Sequence, residues 1–490
     1  MSARVYHATS PAGLLTIAGS SAAVAAFILA GQFEHAARIW GTALIILAVA
    51  VIAWRFAVLG RLRLEHLDQW AWAIMISHTV IINIPRDATI LAEDLAPSAA
   101  IAIQIVIWGV LLLFALARSA RDLGRLRSLL GPTARYATMF FLLAVASSAY
   151  SNGPLITLVW SFKLGTILLL CTVLFDRTDP RQTLQRFVDA TQLGLMLIVL
   201  QFLVVAVLSP GTAVNTTDLR GIWRAGGEVM ASTKLSAAAG LAAALQLVDL
   251  FMAPRTMRKT VLFILLVGIM AAALGRGGIL ATALGMTMVL AAFRRLRLIA
   301  AATALVIIVL LFSPWLAETS GEILTRRQSE AEMRSLTGRT YVWSITVDLI
   351  RERPLLGWGY VSGSRIELSR LFPGGNSGGS HNAYLEVVLA LGAIGALVLG
   401  GLLIRICITL ARALRSRWTV LAPSVIGIQV LKLAVILLVL LVEGMFESSF
   451  SGPPRFEATL LFGVAFCCDG IAMTGDSGRR LDSFSVGQRP

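Results

Sequence analysis

Apolar runs long enough to cross a bilayer recur along this chain and leave few folds open to it. A helix needs about 20 apolar residues to traverse a hydrocarbon core of roughly 30 Å. Only helices and closed barrels satisfy their backbone there. Fourteen candidate spans can be drawn, at 12–31, 38–58, 68–85, 98–117, 136–150, 154–175, 190–208, 233–252, 260–274, 277–293, 297–313, 383–405, 420–442 and 456–472. The fifth, ninth and tenth are short. Of the 490 residues, 57% are hydrophobic and 14% charged, whereas a soluble domain carries about 25% charged residues. The expected fold is an all-α polytopic membrane protein of about 14 transmembrane helices (12–14), with one long outer loop containing short helices. A secreted disulfide scaffold, a disordered chain and an ordinary cytosolic enzyme are excluded.

The net charge of +15 follows from the same architecture, because Lys and Arg resist translocation and collect in cytoplasmic loops. No nucleic-acid partner is expected. An even number of spans puts both termini on one side. With that side cytoplasmic, the inner loops carry Arg61 and Arg63, the run from Arg118 to Arg135, Arg177 to Arg186, Arg255 to Lys259, Arg294 to Arg297, and Arg412 to Arg417. The chain then divides into an N-terminal bundle (1–312), a long outer loop (313–382), a C-terminal bundle (383–472) and a polar cytoplasmic tail (473–490), expected to be disordered.

Two outer segments are long. One runs from Ser209 to about Lys234, the other from about Ser313 to Asn382. Long loops in compact proteins are usually functional. Within the second, Thr340 to Arg353 places Tyr341, Val342, Ile345, Leu349 and Ile350 at helical spacing. Thr337 and Gly338 precede this helix and Pro354 stops it. It lies either on the membrane surface or on the bundle. A glycine-rich stretch, Pro373 to Gly379, then leads to Ser380-His381-Asn382-Ala383-Tyr384, where span twelve opens.

His381 sits at the outer mouth of that helix, in a polar cluster. Arg276 lies in Leu274-Gly275-Arg276-Gly277-Gly278, a tight turn between two spans. An arginine near the bilayer core usually has a partner or a function, although snorkelling to the interface would also accommodate it. Arg220 and Arg224 lie in the other long loop. Arginine forks bind phosphate oxygens in bidentate fashion, and a histidine of near-neutral pKa can take a proton from a hydroxyl. This set suits a phosphate-activated donor and a hydroxyl acceptor. No carboxylate pair at metal-binding spacing is visible in these loops, so neither a metal nor another cofactor is expected. Lys163 and Lys432 fall within spans and leave open a secondary transporter; the plainer reading of each is a buried ion pair or a snorkelled amine.

The order of these elements resembles the O-antigen ligase and polymerase superfamily of bacterial membrane glycosyltransferases. The resemblance rests on Leu274 to Gly278, Gly338-Arg339 with Trp343, Arg353 to Gly359, Ser380 to Leu385, and Leu391 to Gly395. It covers roughly Arg220 to Leu403. It implies a metal-independent, inverting glycosyltransferase of the bacterial inner membrane, and it would make the long outer loop (313–382) periplasmic. The implied donor is a glycan on undecaprenyl diphosphate, and the acceptor is lipid A-core or another glycan. By position, Arg276, Arg339 and Arg224 would hold the diphosphate, His381 would activate or orient the acceptor hydroxyl, and Asn382 and Tyr384 would support it. Ligation and polymerisation both fit these motifs.

Overall fold

The computed structural model describes residues 64–81, 99–175, 179–208, 213–215, 224–226, 230–252, 257–295, 339–371, 379–417, 424–450 and 455–485. The expected spans at 12–31, 38–58 and 297–313, together with Arg220, Gly338 and 372–378 of the glycine-rich stretch, lie outside the described residues.

The described part is a helical bundle. Its helices are α1 (Leu64–Ile81), α2 (Ala99–Ala120), α3 (Ala134–Ala146), α4 (Pro154–Leu174), α5 (Pro180–Leu208), α6 (Ser232–Met252), α7 (Met257–Ala272), α8 (Arg276–Ala292), α9 (Arg339–Glu352), α10 (Ala383–Arg417), α11 (Val425–Gly444) and α12 (Phe456–Ser485). A two-residue antiparallel pair, β1 (Val214–Asn215) and β2 (Arg224–Ala225), joins α5 to α6. Each expected span that falls on described residues corresponds to a helix. Six described helices, α4, α5, α6, α10, α11 and α12, are long and apolar enough to cross a bilayer. A seventh candidate is a bent pair, the 3-10 turn Leu123–Leu130 with the segment Ala134–Ala149, turned by 89°. The all-α membrane architecture thus holds, and among the described residues six or seven spans qualify by length and composition.

Two boundaries differ from expectation for local reasons. Helix α5 starts ten residues early, at Pro180, because Asp179 caps it: its Oδ1 accepts from the Gln182 N–H at 3.0 Å, and proline is pre-shaped for the first helical position. Helix α12 runs beyond its apolar stretch to Ser485, so most of the tail expected to be disordered is helical. Once a helix exists, each added residue gains a hydrogen bond at little nucleation cost.

Packing around α6 relies on small side chains, as membrane helices do where lipid is as apolar as leucine. Ala237, Ala238, Ala239, Ala242, Ala243 and Ala244 are all buried. A Cβ on Gly240 would come within 1.9 Å of Thr282 Oγ1 on α8, so the two helices approach at backbone range.

The amphipathic helix expected over 340–353 is α9, and it lies on protein. Leu349 packs with Trp358, Leu368 and Leu389, and with Val342, Ile345 and Ile350 around them. Tyr341, counted on the same face, is instead exposed.

Helix α10 is broken at Gly392, whose φ of 62° and ψ of −161° lie outside helical space. Residues 354–359 dock into the break. Trp358 N donates to Leu389 O and Gly359 N to Ala390 O, both at 2.9 Å, while Ala393 N donates to Pro354 O at 2.8 Å. The Leu-Gly-Trp-Gly and Leu-Gly-Ala-Ile-Gly elements are therefore two halves of one backbone interlock.

Candidate functional site at one end of the bundle

The starts of α6, α8, α9, α10 and α12 meet the end of α11 at one end of the bundle. Helix N-termini carry partial positive charge, and the side chains there are strongly charged.

Arg276 is the first residue of α8. The glycines around it let its turn sit close to neighbouring backbone. A Cβ on Gly275 would meet Ser236 Cβ at 2.5 Å, one on Gly278 would meet Ala237 N at 2.8 Å, and one on Gly277 would meet Phe446 at 3.0 Å. Leu274, just before, holds a left-handed φ of 49°. Buried Arg224 on β2 reaches the same turn, its Nε donating to Ala273 O at 3.4 Å. Partial burial first, then the charges of Arg224 and Arg339, lower the proton affinity of Arg276. The fold therefore brings Arg224 and Arg339, from two separate segments, within electrostatic reach of Arg276.

Below the arginines lies a buried charge cluster. Lys234 Nζ, from the first turn of α6, donates to Glu443 Oε1 at 3.1 Å and to Glu457 Oε1. It also stands 3.7 Å from Glu447 Oε2. On the other side, Glu447 Oε1 faces an Arg339 guanidinium nitrogen at 3.7 Å. Burial raises the proton affinity of Glu447, but Lys234, His381, Arg339 and Arg455 together outweigh it and hold this carboxyl below its usual range.

His381 is placed by its neighbours. Trp343 Nε1 of α9 donates to Ser380 O at 2.9 Å. Ser380 N donates to the buried Glu386 Oε1 at 2.9 Å, which also accepts from Ser448 Oγ. His381 itself has a φ of 52°, a left-handed conformation that is uncommon for residues other than glycine and costs energy. Asn382 is the N-cap of α10, its Oδ1 accepting from Tyr384 N at 3.0 Å and Leu385 N at 3.1 Å. Tyr384 ties α10 to α11 through its hydroxyl, which donates to Leu441 O at 2.8 Å.

Sequence reasoning missed Lys234, Glu443, Glu447 and Glu457. A signal was present: a charge at the edge of an apolar span usually has a partner, and Glu443 and Glu457 sit at two such edges. Of the intramembrane lysines, Lys432 forms an ion pair with Asp249 at 2.7 Å. Lys163 lies over the Trp108 and Trp160 rings, at 4.5 and 5.5 Å from their centroids.

Residues 261–400 match the family model described as O-antigen ligase. The matched segment runs from α7 into α10 and contains Arg276, Arg339, His381, Asn382 and Tyr384; Arg224 and the carboxylates Glu443, Glu447 and Glu457 lie outside it. The match is consistent with the O-antigen ligase and polymerase superfamily and points to a glycosyltransferase-like enzyme. No curated protein matches the chain.

Proposed function

We propose that this protein is a glycosyltransferase of the O-antigen ligase type, embedded in the bacterial inner membrane with both termini cytoplasmic and the α9 loop periplasmic. It moves a glycan from undecaprenyl diphosphate to a hydroxyl on lipid A-core or, in the polymerase variant of the reaction, on another glycan. The observation carrying this reading is the gathering of Arg224, Arg276 and Arg339 at the end of the bundle that holds His381, within and beside a segment matching the O-antigen ligase model.

The bond between the anomeric carbon and the diphosphate oxygen breaks as the acceptor oxygen forms its own bond to that carbon from the opposite face. The anomeric centre inverts. Negative charge grows on the departing diphosphate, and guanidinium groups fixed there bind that charge more tightly in the transition state than in the ground state. His381 accepts the acceptor hydroxyl proton, or orients that hydroxyl. Metal-independent chemistry is part of this proposal because the departing charge is met by arginines. The transporter reading has less behind it, since Lys432 is already paired with Asp249.

The test is complementation in a host lacking the gene. Variants Arg276→Ala, Arg339→Ala and His381→Asn are compared at matched membrane levels, using lipopolysaccharide and exopolysaccharide gels. Asparagine is chosen because it tolerates left-handed φ better than most residues. Loss of surface glycan supports the proposal. Long chains left on undecaprenyl diphosphate identify a ligase, single repeat units a polymerase. Full activity in all three variants overturns it.

A further inference from the structure

At the tip of the loop docked into the α10 break, Pro354 to Leu356, the backbone carbonyls have protein partners and the side chains are bare. Pro354 O accepts from Ala393 N at 2.8 Å and Leu355 O from Ile394 N at 3.4 Å. Leu356 O accepts from the Tyr150 hydroxyl at 2.7 Å. Three successive carbonyls of a non-helical segment thus have protein partners. In water such groups need none, whereas non-helical backbone at membrane depth is tolerated only where protein satisfies it. Meanwhile Leu355 and Leu356 are 66% and 51% exposed.

Helix α10 indicates what those leucines face. No side chain from Ala383 to Gly392 is exposed. Exposed apolar side chains begin at Ile394 and continue through Leu397, at 76%, and Ile404. From Ile394 to Ala411, just before Arg412, a helix rising about 1.5 Å per residue covers roughly 27 Å. That is close to a hydrocarbon core of about 30 Å. The lipid-facing part of α10 therefore starts at the residue whose N–H holds Leu355. Exposed Met139 and Leu142 extend the same apolar surface over α3, next to the Tyr150 that holds Leu356.

We propose that Pro354-Leu355-Leu356 is immersed in the bilayer leaflet on the His381 side, in contact with phospholipid acyl chains. It acts as an anchor that fixes the height of α9, and hence of Arg339, above the membrane. This inference rests on the membrane-spanning reading alone and is independent of glycosyl transfer.

Nitroxide accessibility tests it on the full chain in vesicles of phosphatidylethanolamine and phosphatidylglycerol. Cys407, the exposed native cysteine, is first replaced by serine. Labels are then placed separately at Leu355→Cys and Leu356→Cys, with Leu397→Cys as the lipid-facing reference and Glu352→Cys as the aqueous one. Oxygen preference at the reference label verifies that the chain is inserted, and two independent loop sites guard against one label disturbing its own position. The expected result is preferential collision with oxygen over a water-soluble nickel chelate at 355 and 356, as at 397 and opposite to 352. Nickel accessibility equal to that at 352 overturns the proposal. Shielding from both reagents also overturns it, because protein, such as a second copy of the chain, would then cover the tip.

Discussion

The Glu447 carboxylate faces the Arg339 guanidinium at 3.7 Å while its other oxygen stands 3.7 Å from the Lys234 ammonium. This one buried carboxylate links a structural cation to a cation of the proposed diphosphate site. Its folded proton affinity is depressed, so its ionisation stabilises the fold above the unfolded pKa of about 4.3. That contribution disappears as the pH falls through the lower, folded value. Thermal unfolding followed from pH 6 to pH 3 should show wild type losing stability across this acid range. Glu447→Gln should be less stable at pH 6 and should converge on wild type at the acid end. A constant gap between the two curves would argue against an ionised Glu447.

Lys234 is the ammonium that Glu443 and Glu457 share. Removing one partner of a buried ion pair costs about 3–5 kcal/mol, mostly because the remaining charge stays buried and uncompensated. Lys234→Met should therefore lower the melting temperature strongly in detergent. Adding Glu443→Gln should recover part of the loss, since it removes one of the stranded charges. A double variant no better than the single one would mean that Glu443 is not ionised beside Lys234.

Arg276→Ala should reduce glycan transfer on the order of 10²–10³, the usual effect of removing one fixed donor to a developing anion. Arg276→Lys should restore only part of it, because an ammonium cannot reproduce a planar bidentate fork. In vitro transfer from a lipid diphosphate donor, at matched protein levels, measures both. Neither change should alter the melting temperature much, since the Arg276 side chain is exposed.

The glycines beside Arg276 make a separate, steric prediction. A methyl group at 278 would lie 2.8 Å from Ala237 N, and overpacking of this kind costs about 1–3 kcal/mol. Gly278→Ala should therefore lower stability and activity together by shifting the turn that carries Arg276. Gly268→Ala on α7, with nothing within 4 Å of the added atom, should be silent in both the melting and the transfer assay.

Much of this was legible in the chain because local rules governed it. The spacing from Thr340 to Arg353 identified α9 to within a residue, since Leu349 had to be buried and Pro354 had to end the helix. Arg276 stood out because a charge near the bilayer core is costly, and His381 because it lies in a polar cluster at the outer mouth of a span. Glu443 and Glu457 carried the same span-edge signal, but their partner was not legible, because only the fold brings Lys234 to them and to Glu447 from more than 200 residues away in sequence. Asn382 and Tyr384, expected to support the histidine, hydrogen-bond to backbone, as the cap of α10 and its tie to Leu441. The glycines at 357, 359 and 392 suggested motifs but not their meeting, because an interlock is written in backbone hydrogen bonds that no residue pattern specifies.

That interlock can be tested at its tightest point. Gly392 occupies a region of φ and ψ open essentially to glycine alone, and a side chain forced into such a region stores about 1–3 kcal/mol. A Cβ there would also come within 2.2 Å of Leu355 O. In Gly392→Ala the helix should regain regular φ and ψ, and the loop from Pro354 to Gly359 should be pushed out of the break. Ala393 N would then lose Pro354 O, and Trp358 N would lose Leu389 O. Limited chymotrypsin digestion in vesicles should reveal new cleavage after Trp358, which is buried in the interlock, together with a lower melting temperature and weaker glycan transfer as α9 loses its seat. Gly400→Ala, on the same helix and with open space at its Cβ, should leave all three unchanged. Equal protease resistance in the two variants would mean that the loop holds its position without the break.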